Sequence, residues 1–437
     1  MTRSIAPSIA RCLAASVALL SLSACLGAGA PASSGLALSA SIDRVQPFAG
    51  IVLWSDNEDA AGACKDSIQL EFSYLMFKSV STAKDVWDWS AVDALLAETA
   101  SRGHQAILRF RYEYPGEEFG LPAWIKTEPG YTVRSVTVND GGSTLTVELP
   151  DWSCAALRNF NTDFFRRFAE RYDEDPRLAF VQAGFGFWSE YHLNVDQDRV
   201  VLGQNFPSTE YQASFLTALA GFFATTPFSV SIDSAWEWGP FEARPALLDL
   251  GFGTFDDSFL CAEHETVNKG ATEALGADRW QRAPRGGEFS YYTTEDQSQA
   301  LSVGGPHGMS WPQAAALYRM SYVIGDGQTG YRTPAEIASA GVTAGYRFVV
   351  ISAEETEAAT RVTIRNDGVA PLYYDAWPSL GGVRSPTSLK GLLPGQSRSF
   401  EIDALPPAGS RDISSLFSIA CDRLVAGQAI QFEASLP

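Results

Sequence analysis

Short apolar runs alternate with amphipathic stretches from about residue 47 to residue 340. IQLEFSYLMF (68–77) and HQAILRFRYEY (104–114) are typical of strands, whereas WSAVDALLAETASRG (89–103) repeats its apolar positions at helical spacing. Strand-then-helix units that recur over such a length indicate a parallel sheet, and their number fits a (β/α)8 TIM barrel. A doubly wound open sheet is the alternative, but no G-x-G-x-x-G follows the first strand.

The rest of this region continues the same alternation. The further predicted strands are 48–54, 177–192, 227–233, 246–259 and 285–292, and the further predicted helices are 154–173, 209–225 and 311–324. Between the third strand and the next helix, residues 131–149 alternate apolar and polar positions about Asn-Asp-Gly-Gly, which predicts a hairpin inserted in a loop.

After Gly341 the pattern changes to β-like segments broken by Gly, Pro, Asn and Asp, and no helical periodicity lies between them. The clearest of these segments are YRFVVISAEE, ATRVTIRNDG, RSFEIDAL and AIQFEASL. We therefore predict two domains, a barrel at 47–340 and an all-β sandwich at 341–437.

The first 25 residues have the pattern of an export signal. Arg3 and Arg11 precede an apolar run, residues 12–24, which is too short to span a bilayer as a helix. Leu22-Ser23-Ala24-Cys25 resembles a bacterial lipobox, which implies a signal peptide at 1–24, lipidation of Cys25 and a flexible tether at 25–46. The protein would then be exported and lipid-anchored in the cell envelope, and Leu26 after the cysteine favours the outer membrane. An ordinary signal peptide with a chance cysteine is the alternative.

Composition excludes several classes of protein. With 46% apolar residues, 12% aromatic residues and a net charge of −19, the chain fits neither a disordered protein, a coiled coil nor a polytopic membrane protein. The negative charge and the lack of a basic cluster argue against nucleic-acid binding. The cysteines after Cys25 are far apart without C-x-x-C spacing, so we expect at least one disulfide among them, with three pairings open, and neither a metal nor a cofactor. These cysteines are Cys64, Cys154, Cys261 and Cys421.

Candidate chemistry lies at the ends of the predicted strands, where barrel enzymes carry their active sites. Glu190 lies among aromatic residues in GFWSEYH, and Glu288 lies in the later strand RGGEF. Two carboxyl groups that face each other can hydrolyse a glycosidic bond if one is protonated and the other ionised. Apolar surroundings raise the pKa of a carboxyl group, and a nearby arginine lowers it. We therefore predict that Glu190 and Glu288 are the catalytic pair. The aromatic surroundings of Glu190 suit the acid, and Arg109 or Arg111 could support the nucleophile.

Other strand-end residues are candidates for binding a carbohydrate. They are Trp54, Arg109, Arg111, Ser189, His192, Asp233, Trp236, Asp256, Asp257 and His307. Ordinary packing or hydrogen bonding is the competing interpretation for each of them. His264, between two glutamates, resembles a metal cluster, but adjacent residues of a loop rarely converge on one ion.

GFWSEYH (186–192) resembles the G-x-W-G-E-W-H signature of a bacterial family of uncharacterised glycoside-hydrolase-like barrels, a domain of unknown function. The family's E-P-x-G segment is absent here. The other matches, in chain order, are Trp87-Asp88-Trp89, Arg109, Asp256-Asp257-Ser258-Phe259-Leu260, Gly286-Gly287-Glu288 and Gly345-Tyr346-Arg347-Phe348.

This family is in turn similar to retaining glycosidases with the acid/base after the fourth strand and the nucleophile on the seventh. The resemblance implies that Glu190 is the acid/base and Glu288 the nucleophile. That clan usually has Asn before the acid/base, to bind a sugar hydroxyl, where this chain has Ser189. The departure leaves open an altered substrate or a loss of activity.

Three functions therefore compete. The first is a lipid-anchored glycoside hydrolase that acts on a poly- or oligosaccharide with retention. The second is a carbohydrate-binding barrel without turnover. The third is a structural lipoprotein of a polysaccharide export system.

Overall fold

The computed structural model describes residues 34–140, 142–194 and 199–437. Eight parallel strands form a closed barrel, in which each strand pairs with its neighbours along the chain and the eighth pairs with the first. The strands are β1 (Gly50–Trp54), β2 (Leu70–Met76), β3 (Gln105–Arg111), β4 (Leu178–Gln182), β5 (Phe228–Ser231), β6 (Gly253–Phe259), β7 (Arg285–Phe289) and β8 (Tyr322–Ile324). The predicted TIM barrel is confirmed.

Helices surround the barrel and bury their apolar faces against it. They are α1 (Glu58–Ala63), α2 (Ser90–Ser101), α3 (Ala155–Tyr172), α4 (Thr209–Phe222), α5 (Asn268–Ala274), α6 (Thr294–Gln299), α7 (Trp311–Tyr318) and α8 (Pro334–Gly341). In α3, Phe160, Phe164 and Phe168 recur every four residues and therefore share one buried face. The ring of Phe164 meets Phe110 of β3 edge-on at 4.7 Å. The predicted hairpin is also present, as strands Arg134–Asp140 and Ser143–Leu149.

The prediction of one helix over 311–324 is wrong. Helix α7 ends at Tyr318, Arg319 adopts a left-handed conformation with φ 59°, and Tyr322–Ile324 forms the last barrel strand. Arg319 and Ser321 are the polar residues between Tyr318 and this strand, and two such positions are compatible with an amphipathic helix, so periodicity alone does not separate the two elements.

Residues 348–436 form two facing sheets, as the predicted sandwich requires. The strands are β9 (Phe348–Glu355), β10 (Thr360–Asn366), β11 (Trp377–Leu380), β12 (Val383–Arg384), β13 (Ser397–Ile402), β14 (Phe417–Ala420) and β15 (Phe432–Leu436). The larger sheet has six strands and contains β9, β10, β13 and β15, and the smaller contains β11, β12 and β14. Val362, Phe400 and Phe417 belong to the core that the two sheets share.

Part of the predicted tether belongs to this larger sheet. Ser34–Gly35 pairs with β9, and Leu38–Ala40 pairs with β15. Leu36 and Leu38 are buried in the sandwich core. These contacts explain why residues 34–40 are ordered as strands although their composition is typical of a linker.

The sandwich packs against the amino ends of the barrel strands. The hydroxyl of Tyr374 donates a hydrogen bond to the carbonyl oxygen of Ala179 in β4, and its ring lies 4.3 Å from that of Phe48. Arg423 Nη2 donates to the carbonyl oxygen of Asp175, before β4, at 2.9 Å. The opposite end of the barrel, where the strands end, therefore carries the candidate site.

The expected disulfide is not formed, because Cys64, Cys154, Cys261 and Cys421 are all free thiols. Within the described ranges no helix has the length and apolar character needed to cross a membrane. The predicted signal peptide, Cys25 and the tether up to residue 33 lie outside the described residues.

Candidate active site

Glu190 lies in a tight loop after β4. Trp188, Ser189 and Tyr191 all have positive φ angles, of 54°, 61° and 69°. Such angles are unfavourable for residues other than glycine and persist where surrounding contacts fix them. Here the backbone N–H of Trp188 donates to the carbonyl oxygen of Glu113, and that of Tyr191 donates to Phe185 at 2.7 Å. The loop therefore holds the Glu190 side chain in one position over the barrel.

Arg109 of β3 binds Glu190 inside the barrel. Its side chain is 1% exposed, and Nη1 donates a hydrogen bond to Glu190 Oε1. Nη1 also approaches the hydroxyl oxygen of Tyr74 at 2.9 Å, while Nε and Nη2 donate to Gln182 Oε1 at 2.8 and 2.5 Å. The guanidinium carbon lies 4.2 Å from the centre of the Phe255 ring. A fully buried cation with these partners fixes the carboxylate beside it.

His192 lies between two carboxyl groups at the end of the barrel. Its Nε2 is 3.7 Å from Glu190 Oε2 and 3.8 Å from Asp257 Oδ2. Although burial opposes protonation, the adjacent Asp257 and Glu190 raise the pKa of His192 to about 10. Burial likewise opposes ionisation of Asp257, but the His192 cation outweighs it and lowers the pKa of that carboxyl. Charges of opposite sign therefore alternate from Arg109 through Glu190 and His192 to Asp257.

Glu288 of β7 has a different environment. The residue is 8% exposed, and Oε1 has no hydrogen-bond partner. Burial raises the pKa of Glu288 to about 8, the charge of Glu190 adds to the rise, and Arg109 opposes it. For Glu190, burial raises the pKa to about 7, with Arg109 again opposing. The pair interacts electrostatically, and Glu190 has the stronger cationic support.

The two adjacent aspartates of β6 point in opposite directions, as side chains of a strand do. Asp257 faces Glu190 and His192, whereas Asp256 accepts hydrogen bonds from the Asn268 side chain at 2.8 Å and faces His264 Nε2 at 3.1 Å. Asp256 therefore belongs to a buried cluster outside the barrel interior, and not to the predicted binding site.

Three further predicted residues make contacts that do not involve the catalytic pair. The hydroxyl of the fully buried Ser189 donates to the carbonyl oxygen of Phe110 at 2.8 Å, so it supports the loop. Arg111 Nη1 donates to the carbonyl oxygen of Glu118 at 3.0 Å. His307 Nε2 lies 2.9 Å from Asp296 Oδ1.

Trp54, Asp233 and Trp236 lie at the predicted end of the barrel. Trp54 ends β1, and its indole favours the ionised form of Glu288. Asp233 follows β5 and interacts with Asp257, and burial raises its pKa to about 8. Trp236, at the end of the same turn, is 45% exposed and offers a ring to solvent.

Sequence reasoning missed two residues of the site, Tyr74 and Gln182, and it did not predict the burial of Glu113. Tyr74 and Gln182 both bind Arg109, and Gln182 could have been noticed as a polar residue that ends an apolar strand. Glu113 is 1% exposed, neither of its carboxyl oxygens has a partner, and burial raises its pKa well above the usual range. Nothing in its local sequence signals this burial.

Glu190, His192 and Asp257 could also hold a metal ion. One ligand atom from each lies within 4.8 Å of the others. One imidazole with two carboxylates suits a divalent cation such as Zn²⁺. Arg109 donates a hydrogen bond to Glu190 Oε1, so such an ion would bind Glu190 Oε2.

Comparisons with known proteins reveal no close relative of this chain. No protein-family model and no curated protein matches the chain. Endo-glycoceramidase II from Rhodococcus sp., solved as a lactosyl-enzyme intermediate, is similar with 11% identity and a TM-score of 0.44, over 85% of this chain and 98% of that one. The GH5_18 protein from Streptomyces cattleya, solved with GlcNAc, shows 13% identity and a TM-score of 0.41, over 68% and 79%.

A cold-adapted beta-galactosidase from Rahnella sp. R3 is also similar, with 11% identity and a TM-score of 0.40. The likeness covers 70% of this chain but only 57% of the galactosidase. These structural neighbours are glycoside hydrolases, and with TM-scores between 0.40 and 0.44 the likeness carries no argument about activity. The chemistry of this chain rests on its own side chains.

Proposed function

We propose that the protein is a glycoside hydrolase that cleaves a poly- or oligosaccharide, with Glu190 and Glu288 as its catalytic carboxyl groups. The observation that carries the proposal is the contrast between the two groups. Glu190 follows the fourth strand and is bound by Arg109, whereas Glu288 lies on the seventh strand with an unpartnered oxygen. Two carboxyl groups with opposite protonation are what glycoside hydrolysis requires.

The contacts favour Glu190 as the ionised member. Arg109 and the His192 cation both stabilise a negative charge on Glu190, and Glu288 lacks such a partner. We therefore assign the nucleophile to Glu190 and the acid/base to Glu288. This reverses both the roles that the family resemblance implies and the expectation that aromatic surroundings make Glu190 the acid, because Arg109 binds Glu190. In this assignment, Glu288 is the group that carries the proton at neutral pH.

A retaining reaction then proceeds in two steps. The Glu190 carboxylate attacks the anomeric carbon while Glu288 protonates the leaving oxygen, which forms a glycosyl-enzyme ester and frees the first sugar. Glu288, now ionised, removes a proton from water, which attacks the anomeric carbon and releases Glu190. Arg109 holds the Glu190 carboxylate in place, and the tight loop after β4 limits its movement.

We expect kcat/KM to have a narrow bell-shaped dependence on pH. Activity should rise as Glu190 loses its proton near its pKa of about 7, and fall as Glu288 loses its proton near its pKa of about 8. The measurement is kcat/KM between pH 5 and 10 on a cleaved oligosaccharide. A falling limb that begins below about pH 6 would contradict the proposal, because Glu288 would then be ionised in the active range.

We further propose that the protein is exported and lipid-anchored through Cys25 in the bacterial cell envelope, with a carbohydrate as its partner. The lipobox-like Leu22-Ser23-Ala24-Cys25 supports this proposal. We expect the protein expressed in a bacterial host to incorporate labelled palmitate, and the Cys25→Ser variant to incorporate none. Equal labelling of both proteins would place the lipid elsewhere, and labelling of neither would contradict the anchor.

A further inference from the structure

The candidate site contains more carboxyl groups than hydrolysis needs. Asp233 follows β5 and Asp257 lies near the carboxyl end of β6, so both lie at the same end of the barrel as the catalytic pair. We call these two residues the acidic pair. Ser231 Oγ links the two residues, because it donates to Asp257 Oδ1 at 3.4 Å and accepts from the backbone N–H of Asp233 at 3.1 Å. His192 Nε2 lies 3.8 Å from Asp257 and 3.7 Å from Glu190, and Asp257 also interacts electrostatically with Glu288. Four carboxyl groups therefore share one small volume.

The two positively charged side chains nearby, Arg109 and His192, already contact Glu190. Arg109 donates to Glu190, Tyr74 and Gln182, and His192 faces both Glu190 and Asp257. Within the described residues, His192 is the one cationic side chain that lies within 4.0 Å of the acidic pair, and it approaches Asp257. The Glu288 side chain, more than nine-tenths buried, also leaves an oxygen without a partner. Asp233 is therefore the carboxyl group beside which a cationic ligand could bind without displacing a cation of the protein.

Exposed aromatic rings flank the acidic pair. Trp236, three residues after Asp233, is 45% exposed, and Tyr292 is 70% exposed. The Tyr292 hydroxyl lies beside Ser258, close enough to interact with Asp257 and Asp233. Aromatic faces pack against the C–H face of a pyranose and attract an ammonium group through their π electrons. The rings and the carboxyl groups together favour a sugar that carries a positive charge.

We infer that the substrate is a glycan of amino sugars whose amine is free and protonated, and that the acidic pair binds this ammonium group. The inference rests on the proposed function, since it names the substrate of the same site. An ammonium group can donate hydrogen bonds to both carboxyl groups, and its positive charge would favour the ionised form of Asp233, whose pKa burial and the charge of Asp257 raise to about 8. An N-acetyl group has neither the charge nor the same donors, and its extra bulk would lie against the acidic pair. The acidic pair therefore selects against acetylation.

The test compares matched oligosaccharides of glucosamine and of galactosamine, each free or fully N-acetylated. We expect the free-amine form to be cleaved with a kcat/KM about 100-fold above that of its acetylated counterpart. Asp233→Asn should reduce this preference by about tenfold or more, mainly through KM, because an amide cannot ionise beside the ammonium group. Glu242→Gln, an exposed carboxylate in the same segment between β5 and β6, is the matched control and should leave the preference unchanged.

Binding to the Glu288→Gln variant, measured by calorimetry, separates this inference from the proposed function. Binding of the free-amine oligosaccharide with no cleavage by the wild-type protein would support the inference and remove the hydrolase. Equal cleavage of free and acetylated forms would keep the hydrolase and overturn the inference. Failure to bind or cleave any free-amine oligosaccharide would overturn the inference as well.

Discussion

Replacing Glu190 or Glu288 with alanine should lower kcat by about a thousandfold or more, because either change removes one of the two groups that move charge at the glycosidic bond. Added azide can substitute for a missing carboxylate. With an activated aryl glycoside, Glu190→Ala should yield a glycosyl azide of inverted anomeric configuration, since azide would attack in place of the nucleophile. Glu288→Ala should yield the retained configuration, since azide would attack the glycosyl-enzyme ester.

The anomeric configuration, read by proton NMR, therefore assigns the roles directly. The exchanged pattern would show that the family resemblance, and not the contact with Arg109, identifies the nucleophile. The control is Glu242→Ala, which replaces an exposed glutamate in the segment after β5 and should retain wild-type kcat. Retention of full activity by either Glu190→Ala or Glu288→Ala would remove that residue from catalysis.

Replacing Arg109 with methionine should lower the free energy of unfolding by about 3–5 kcal/mol, because it leaves the Glu190 carboxylate buried without its main partner. It also removes the donors to Gln182 and the ring contact with Phe255. The measurement is urea unfolding at neutral pH, with kcat followed in parallel. We expect activity to fall as well, because Glu190 would hold its proton to a higher pH.

Two further variants test whether the loss of stability in Arg109→Met comes from its ion pair with Glu190. The double variant Arg109→Met with Glu190→Gln should recover part of the lost stability, because the unpaired charge is gone. Arg111→Met, on the same strand, should cost less, because its carboxylate partner at 3.7 Å is the exposed Glu117, which stays solvated when the arginine is removed. A loss below about 1 kcal/mol for Arg109→Met would show that the ion pair does not hold the site together.

The sequence was sufficient to predict the barrel and the positions of its two candidate catalytic residues. Alternating apolar strands and amphipathic helices imply this architecture, and counting the strands places Glu190 after the fourth and Glu288 on the seventh. The eighth strand was missed because Tyr322–Ile324 continues the apolar pattern of α7. Periodicity identifies long elements, and a three-residue strand is too short to show one.

The contacts of individual side chains were harder to predict than the fold. Asp256 and Asp257 are chemically identical neighbours, and only the orientation of β6 decides that Asp257 enters the site. Ser189 was a candidate for sugar binding, but the positive φ of its loop turns the hydroxyl toward Phe110. The prediction of a disulfide was wrong for a similar reason, because the spacing of cysteines along the chain does not determine the distance between them in the fold.

The most direct test of the central claim is to trap the glycosyl-enzyme ester. The protein would be incubated with an activated 2-deoxy-2-fluoro glycoside of the sugar it cleaves, digested, and its peptides analysed by mass spectrometry. Our account predicts one labelled peptide, with the sugar on Glu190, and no label in the Glu190→Gln variant. A label on Glu288 would reverse the two roles, and the absence of both label and hydrolysis across the oligosaccharide panel would contradict the hydrolase itself.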